Sequence, residues 1–495
     1  MHSIPWIFLA IGVLNSPCAL ANKATTYTSD ILTEDGHYNP KFQLPEGYNF
    51  CQADTFNPTT YQPIKGAKLK LVQAIVRHGV RLPVFSTPVT RDEWACTARL
   101  EQRYFADGSK RTAHPDSSQS GSRDSIPRDG VVAVPIVHSP SDNPYRNNVL
   151  GTCDEAQLTD VGMQQSRDLG KIFRDIYVDQ LGFLPKILPK HTVDLTQLRA
   201  SSSSYQVSQD QPLFVRTTTL QRTQNTAQSI LDSLYPSDQQ EPGAKVVMVA
   251  YPHKGDTMSP QRETCPRYGD AFFGTYQLEP WKEYLQSQQP LREQLEKVLE
   301  THGNTKFQGN FYRYMDVIMP RVCLGKSLTF SNGQSLSSED VNQVVRNSVW
   351  ENSFASRGSA LRDDYNRLGV GFFIGDLKKR WDAVLTPTPR DSNINQETSN
   401  PQFELYSGHD KVISMIGGIW NQTDLLWPPY SSQLVFEFWE KDNGILVRIF
   451  YNGQVLRSDL CDFNGCPMEV FERIMLKDIP ESEGECAPRT KSAEL

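Results

Sequence analysis

The stretch that decides the fold is "LVQAIVRHGVRLPV", residues 71–84. From Leu71 to Val76 only Gln73 is polar, and a short run rich in Val, Ile and Leu reads as a parallel strand buried on both faces. Arg77, His78, Gly79 and Arg81 follow at once. They therefore sit where the chain leaves the C-terminal end of a strand, which is where open α/β sheets bind ligands. Nothing in the building of a strand requires this cluster, so it is the first candidate site.

The chain of 495 residues is long enough for two or three domains, or for one core with a large insertion. Its formal charge of -7 provides no basic field of the kind that binds nucleic acid, so a small-molecule partner is expected. "MHSIPWIFLAIGVLNSPCALAN" carries an apolar run from Ile4 to Leu14, followed by Ala19-Leu20-Ala21. This predicts a signal peptide over 1–21, cleaved after Ala21; no Lys or Arg precedes the apolar run, and an uncleaved signal anchor is the alternative. Nothing later resembles a membrane span. With Cys18 removed, Cys51, Cys96, Cys153, Cys265, Cys323, Cys461, Cys466 and Cys486 remain. An even count fits up to four disulfides in an oxidising compartment, with Cys461 and Cys466 close enough in sequence to pair. No cysteine spacing suggests a zinc site. The sequon Asn421-Gln422-Thr423 is consistent with secretion. The expected destination is the secretory pathway and the cell exterior, or the Golgi if the signal stays as an anchor.

Residues 22–66 are polar and read as an extended N-terminal arm. An α/β core is expected over 67–251 and again over 365–480, interrupted by a mainly helical insertion at 252–364 and followed by a tail at 481–495. Two Ser-rich stretches, from Asp107 and from Ala200, read as loops that line or cover a cleft. Between them "LTDVGMQQSRDLGKIFRDIYVDQLGFLP" has the apolar spacing of a long amphipathic helix, with Thr159 as its cap. "AKVVMVAY" from Ala244 is a further strand, and "FVRTTTLQRTQNTAQSIL" is a strand end running into a Thr-capped helix. "FELYSGHD" repeats the opening arrangement: an apolar run from Phe403 delivers His409 and Asp410 after Gly408. "QLVFEFWEKDNGILVRIFYNGQVL" reads as a hairpin turning at Asp442-Asn443-Gly444.

Singly these pieces are ordinary. Together, Arg77, Arg81 and Arg216 with His78, His409 and Asp410, all placed after apolar strands, describe a pocket for a phosphoryl group. Guanidinium groups would stabilise charge on the equatorial oxygens in the transition state, and a histidine is a natural covalent carrier.

"VRHGVRLP", "LTDVGMQQSRDLGKIFRDIY", "FVRTTTLQRT" and "LYSGHD" occur in the order found in the histidine acid phosphatases, the secreted branch (branch 2) of the histidine phosphatase superfamily, which the chain resembles from about 67 to 460. "RDIYVDQLGFLP" and "LVFEFWEKDNGILVRIFYNG" look most like the 2-phosphoxylose phosphatase and acid phosphatase-like branch. The resemblance implies a phosphoglycerate-mutase-like three-layer α/β core with an inserted helical cap. It makes His78 the nucleophile, Arg77, Arg81 and Arg216 the phosphate-binding arginines, His409 the second pocket histidine and Asp410 the proton donor, with no metal or cofactor. It also implies an acidic optimum, since Asp410 must be protonated to act.

The sequence departs from the family where R-S-T-D-x-D-R-T is usual: Thr217, Thr219 and Gln221 replace the serine and both acids, while Arg216 and Arg222 remain. Val80 stands where Asp or Glu is frequent and is expected to alter the pocket's polarity. The substrate stays open between a generic phosphomonoester, the inositol polyphosphate of a phytase, and a phosphorylated sugar of a glycan. A catalytically inactive module that binds a phosphoanion or glycan is the non-enzymatic alternative. A cytosolic phosphoglycerate mutase-like enzyme would share the Arg–His core, but the signal and the cysteines argue against it. Oligomeric state is not legible.

Overall fold

The computed structural model describes residues 32, 38–39, 41–90, 93–96, 101–104, 132–135, 150–151, 153–190, 212–260, 262–385, 402–422 and 426–488. The predicted signal segment, the first Ser-rich loop, all but Pro212 of the second, and Thr423 of the sequon lie outside them.

The run from Leu71 is the middle of a long strand, β1 (Lys68–Arg77), as its apolar content predicts. The sheet is completed by β2 (Leu213–Thr217), β3 (Met248–Ala250), β4 (Phe403–Gly408), β5 (Gln433–Lys441), β6 (Gly444–Tyr451), β7 (Gln454–Val455) and β8 (Cys466–Pro467). Its order is β7-β6-β5-β1-β4-β2-β3, with β8 against β6. β1, β4, β2 and β3 are parallel, whereas β5 and β6 run antiparallel as the predicted hairpin. Asp442 (φ 49°) and Asn443 (φ 65°) take the left-handed conformations that a tight hairpin turn requires.

Alternation along β1 makes three layers. Val72, Ala74 and Val76 pack with Leu169, Phe173, Ala227 and Ile230 from α1 (Asp160–Phe173) and α2 (Gln221–Leu234). Leu71 and Ile75 face the other way, into a cluster shared by α3 (Pro266–Thr275), α8 (Arg362–Leu385), α9 (Asp410–Ile419) and α10 (Met468–Leu476). Gln73 sits fully buried on that second face, where its amide nitrogen donates to Glu404 at 2.8 Å and to the Leu377 carbonyl at 3.3 Å, while its Oε1 has no partner among the described residues. Thr159 caps α1 as predicted, its hydroxyl accepting from the Gly162 amide. α2 is not Thr-capped: Leu220 is its N-cap, and the Thr223 hydroxyl donates to the Leu220 carbonyl at 2.7 Å.

Helices fill the segment read as an insertion, but they divide between two cores. α3 belongs to the sheet's cluster, while α4 (Glu279–Ser287), α5 (Gln289–Leu299), α6 (Tyr312–Cys323) and α7 (Ser338–Ser353) build a separate apolar cluster around Trp281, Tyr284 and Trp350. Burying each such ring contributes roughly 1.5–3 kcal/mol, enough for the four helices to hold together. The N-terminal segment has neither helix nor strand over 41–66, yet Phe42 and Phe50 are buried in the helical cluster and Phe56 and Tyr61 beneath the sheet. Four disulfides close the fold: Cys51–Cys323, Cys96–Cys153, Cys265–Cys486 and Cys461–Cys466. The first ties the N-terminal segment to the end of α6. Among the described residues no helix is long and apolar enough to cross a membrane.

Candidate active site

Parallel pairing of β1 with β4 puts Arg77 opposite Gly408, so the two strands release His78 and His409 side by side. The His78 amide donates to the Gly408 carbonyl at 3.2 Å, and the imidazole centroids lie 5.7 Å apart. His409 is the N-cap of α9 and Asp410 its first residue. The loop after β1 is clamped by the start of α1. The Thr159 hydroxyl donates to the Val80 carbonyl at 2.8 Å, and Gln165 accepts from the Val80 amide at 2.9 Å. Gly79 and Gly162 touch backbone to backbone: a Cβ on Gly79 would lie 2.4 Å from the Gly162 carbonyl oxygen, so both positions exclude a side chain. Val80 itself is buried in the helical cluster, so the exchange of an acid for valine changes packing at that seam and not the polarity of the pocket.

His78 is buried, and its Nδ1 lies 2.9 Å from the Gly79 carbonyl. A carbonyl only accepts, so Nδ1 carries the proton and Nε2 keeps its lone pair. Burial, and then the fields of Arg222, Arg77, Arg81 and His409, hold the imidazole well below its usual range of protonation. His409 is lowered by burial first and by Arg222 next, with Asp410 opposing; its Nε2 lies 3.3 Å from the Thr218 hydroxyl. Asp410 is ion-paired to Arg77 Nη2 at 2.9 Å and accepts from Trp427 Nε1 at 3.0 Å. Burial raises its carboxyl, but Arg77, His409 and the Trp427 hydrogen bond outweigh that and leave it below the ordinary carboxylate range. Arg77 also donates to the Pro428 carbonyl and lies against the rings of both Phe50 (5.0 Å) and Tyr430 (4.3 Å). Arg81 pairs with Asp316 of α6 at 2.6 Å, and the other Asp316 oxygen accepts the amides of Val84 and Phe85. The helical unit thereby fixes both the arginine and the loop that bears it.

Five of the six sequence-predicted residues converge: Arg77, His78, Arg81, His409 and Asp410. Arg216 does not join them. It is buried at the end of β2, where Nη2 pairs with Asp256 and Nη1 with Asp376, each at 2.9 Å, and the Thr257 hydroxyl takes a further bond at 2.7 Å. Two carboxylates hold it, and the charges acting most strongly on His78, His409 and Asp410 are those of other residues. Arg222, on the first turn of α2, stands in its place. It is the strongest charge felt by both histidines, and it is itself pushed down to about 10, by burial first and by Arg81 next. Its Nε is buried without a partner, and among the described residues no carboxylate pairs with it. Thr218, inside the motif that bears Arg216 and Arg222, completes the site together with Trp427, Asp316 and Tyr430; these last three carried no signal in the sequence. They lie far along the chain from His78, on segments whose local patterns are those of ordinary loops and helices.

The model of the histidine phosphatase superfamily (branch 2) matches residues 68–452. The chain belongs to that superfamily. It is a phosphatase. Among its relatives are Counting factor 60 of Dictyostelium discoideum, 26% identical over 85% of this chain and 88% of that one, and the mouse (Mus musculus) lysophosphatidic acid phosphatase type 6, 24% identical over 86% and 90%. The 2-phosphoxylose phosphatase 1 of Xenopus tropicalis, whose branch the sequence brought to the fore, is 21% identical over 90% of this chain and 82% of its own. In fold the chain is similar to the phytase of Citrobacter braakii, with a TM-score of 0.50 at 16% identity, covering 85% of this chain and 99% of the phytase. The three-layer α/β reading is therefore that of known members.

Proposed function

We propose that this phosphatase hydrolyses phosphomonoesters through a phosphohistidine on His78. Nε2 of His78 attacks phosphorus in line with the ester oxygen. The P–O bond to the alcohol breaks as the P–N bond forms, and Asp410 gives its proton to the departing oxygen. Arg77, Arg81 and Arg222 receive the equatorial oxygens, where charge is spread in the transition state. Water then attacks phosphorus from the side the alcohol has left and yields its proton to Asp410, releasing phosphate and restoring His78. The observation that carries this reading is the hydrogen bond from Nδ1 to the Gly79 carbonyl, which commits one ring nitrogen and leaves the other unprotonated among three guanidinium groups.

Paired with Arg77 and hydrogen-bonded to Trp427, Asp410 is held as a carboxylate, so its proton must arrive with the substrate. A phosphomonoester monoanion carries one proton lost with a pKa near 6. As the arginines claim the dianion and Arg77 is drawn towards phosphate, that proton passes to Asp410. The productive state thus exists below the second pKa of the ester, and an acid optimum follows. The four disulfides support a secretory or lumenal location, and the apolar N-terminal run supports entry by a signal peptide. The names of the relatives cover a lysophosphatidic acid and a phosphoxylose, so the alcohol is chosen by the wall around Asp410 and not by the Arg–His core; a phosphorylated glycan remains within this reading. Rapid quench during turnover tests it: alkali-stable, acid-labile phosphate should appear on the protein, and His78→Ala should abolish it. Full turnover by the variant would sink the proposal.

A further inference from the structure

In the phosphohistidine reading, on which this inference rests, the alcohol departs beside Asp410. The next residue, Lys411, is half-buried with Nζ 4.7 Å from the ring centroid of Phe272 and 5.9 Å from that of Tyr312. Each of these rings is shared with a second cation. Arg262 lies 4.9 Å from Phe272 and 5.1 Å from Phe273, and Arg313 lies 5.8 Å from Tyr312 and 5.2 Å from Phe85. Tyr312 in turn stacks on Trp427 (6.2 Å, 30°), whose Nε1 donates to Asp410. One band of alternating rings and cations therefore starts at the proton donor and runs outward to Arg262 and Phe273, both exposed.

Among the described residues this band has no counter-ions. Outside the phosphate pocket several buried or half-buried arginines are matched: Arg216 by Asp256 and Asp376, Arg267 by Asp364, Arg448 by Glu437. Among the described residues no carboxylate lies within ion-pair distance of Lys411, Arg262 or Arg313. Asp410, next to Lys411 in the chain, is taken by Arg77. The Arg313 side chain donates only to the Lys306 carbonyl and the Tyr312 hydroxyl. The three charges act on one another: burial first, and then Arg262 and Arg313, push the Lys411 ammonium down to about 8 against the pull of Asp410. Gathering like charges without an anion is costly, and an anion that arrives with the substrate removes the cost. We propose that Lys411, Arg313 and Arg262 receive a second anionic group of the substrate, so that the preferred esters are phosphomonoesters whose alcohol bears another phosphate or a carboxylate. The flanking rings take the carbon frame between the two anions.

The probes are 1,3-propanediol monophosphate and bisphosphate, with phosphate release giving kcat/KM for each. Two equivalent esters give the bisphosphate a statistical factor of two. The wild type should exceed that factor by about tenfold, the value of one well-placed charge-assisted contact. Lys411→Met and Arg313→Met should bring the ratio close to the statistical value, and Arg313→Lys should keep most of it. Because the monophosphate is measured on the same preparation, a general loss of folded enzyme cancels from the ratio. A wild-type ratio near the statistical factor overturns the inference, as does a high ratio that both Met variants retain. If folded protein turns over neither ester, the phosphatase mechanism fails first, and the inference falls with it.

Discussion

Two strand ends on one edge of this sheet, with β4 between them, differ in their charge accounts. At the end of β1, Arg77 has a single carboxylate, Asp410, while Arg222 nearby has none among the described residues. At the end of β2, Arg216 has two carboxylates and a hydroxyl. A guanidinium matched by carboxylates is part of the scaffold, whereas positive charge in excess of its counter-ions is a site prepared for an anion. Residue type does not separate the two ends; their partners do.

The largest effect expected of this contrast is at Asp410. Asp410→Asn keeps the Trp427 contact but removes the proton, and should lower kcat for alkyl phosphates by about 10²–10⁴-fold. Aryl phosphates, whose leaving oxygen needs little help, should lose far less. An equal loss for both ester classes would show that Asp410 only positions Arg77.

The pair Arg222→Ala and Arg216→Ala tests the contrast directly. Arg222→Ala should cost about 10²–10³-fold in kcat/KM, as removal of one transition-state charge contact does, with little change in melting temperature. Arg216→Ala should leave Asp256 buried and unpaired. Burial already raises that carboxyl against the pull of Arg216, and losing the pair should cost about 3–5 kcal/mol of stability, with near-normal kcat on the molecules that remain folded. If the two variants exchanged phenotypes, the placement of Arg222 in the pocket would be wrong.

The same contrast explains what the sequence disclosed. β1, β4, the hairpin and α1 were legible because each has one dominant period or turn signal, and the strand-end rule then placed Arg77, His78, His409 and Asp410 together. The choice between Arg216 and Arg222 was not legible. Both stand in one motif six positions apart, and what divides them is Asp256, Thr257 and Asp376, from a loop and a helix far along the chain. Packing of the N-terminal segment was hidden likewise. Phe42, Phe50, Phe56 and Tyr61 follow no period, and they are divided between the helical cluster and the sheet's cluster; Phe50 even supplies a ring against Arg77.

A third region sharpens the accounting from the opposite sign. In the sheet, buried Glu404 is paired with Arg380 and Glu437 with Arg448. In the helical unit, buried Glu351 has no cation among the described residues: it accepts from the amides of Phe311 and Tyr312 and from the Tyr284 hydroxyl. Those three bonds favour the anion, yet burial prevails and pushes the carboxyl up to about 8. Between an ordinary glutamate pKa and about 8, the folded protein therefore holds a proton that the unfolded chain has lost. Stability from this group is complete below about pH 4.5 and declines as pH rises towards 8, by about 1–3 kcal/mol once relaxation and the three donors are allowed for. Asp410 acts in the other direction: its lowered carboxyl contributes stability above the ordinary range and loses it as pH falls further. Urea unfolding at pH 5 and pH 8 should show the wild type losing stability over that interval and Glu351→Gln losing less. The comparison is of slopes, because the amide cannot accept from all three donors and is expected to cost some stability at both pH values. Equal slopes would mean that Glu351 is ionised in the folded protein, and that hydrogen bonds alone hold a buried anion where the sheet uses arginine.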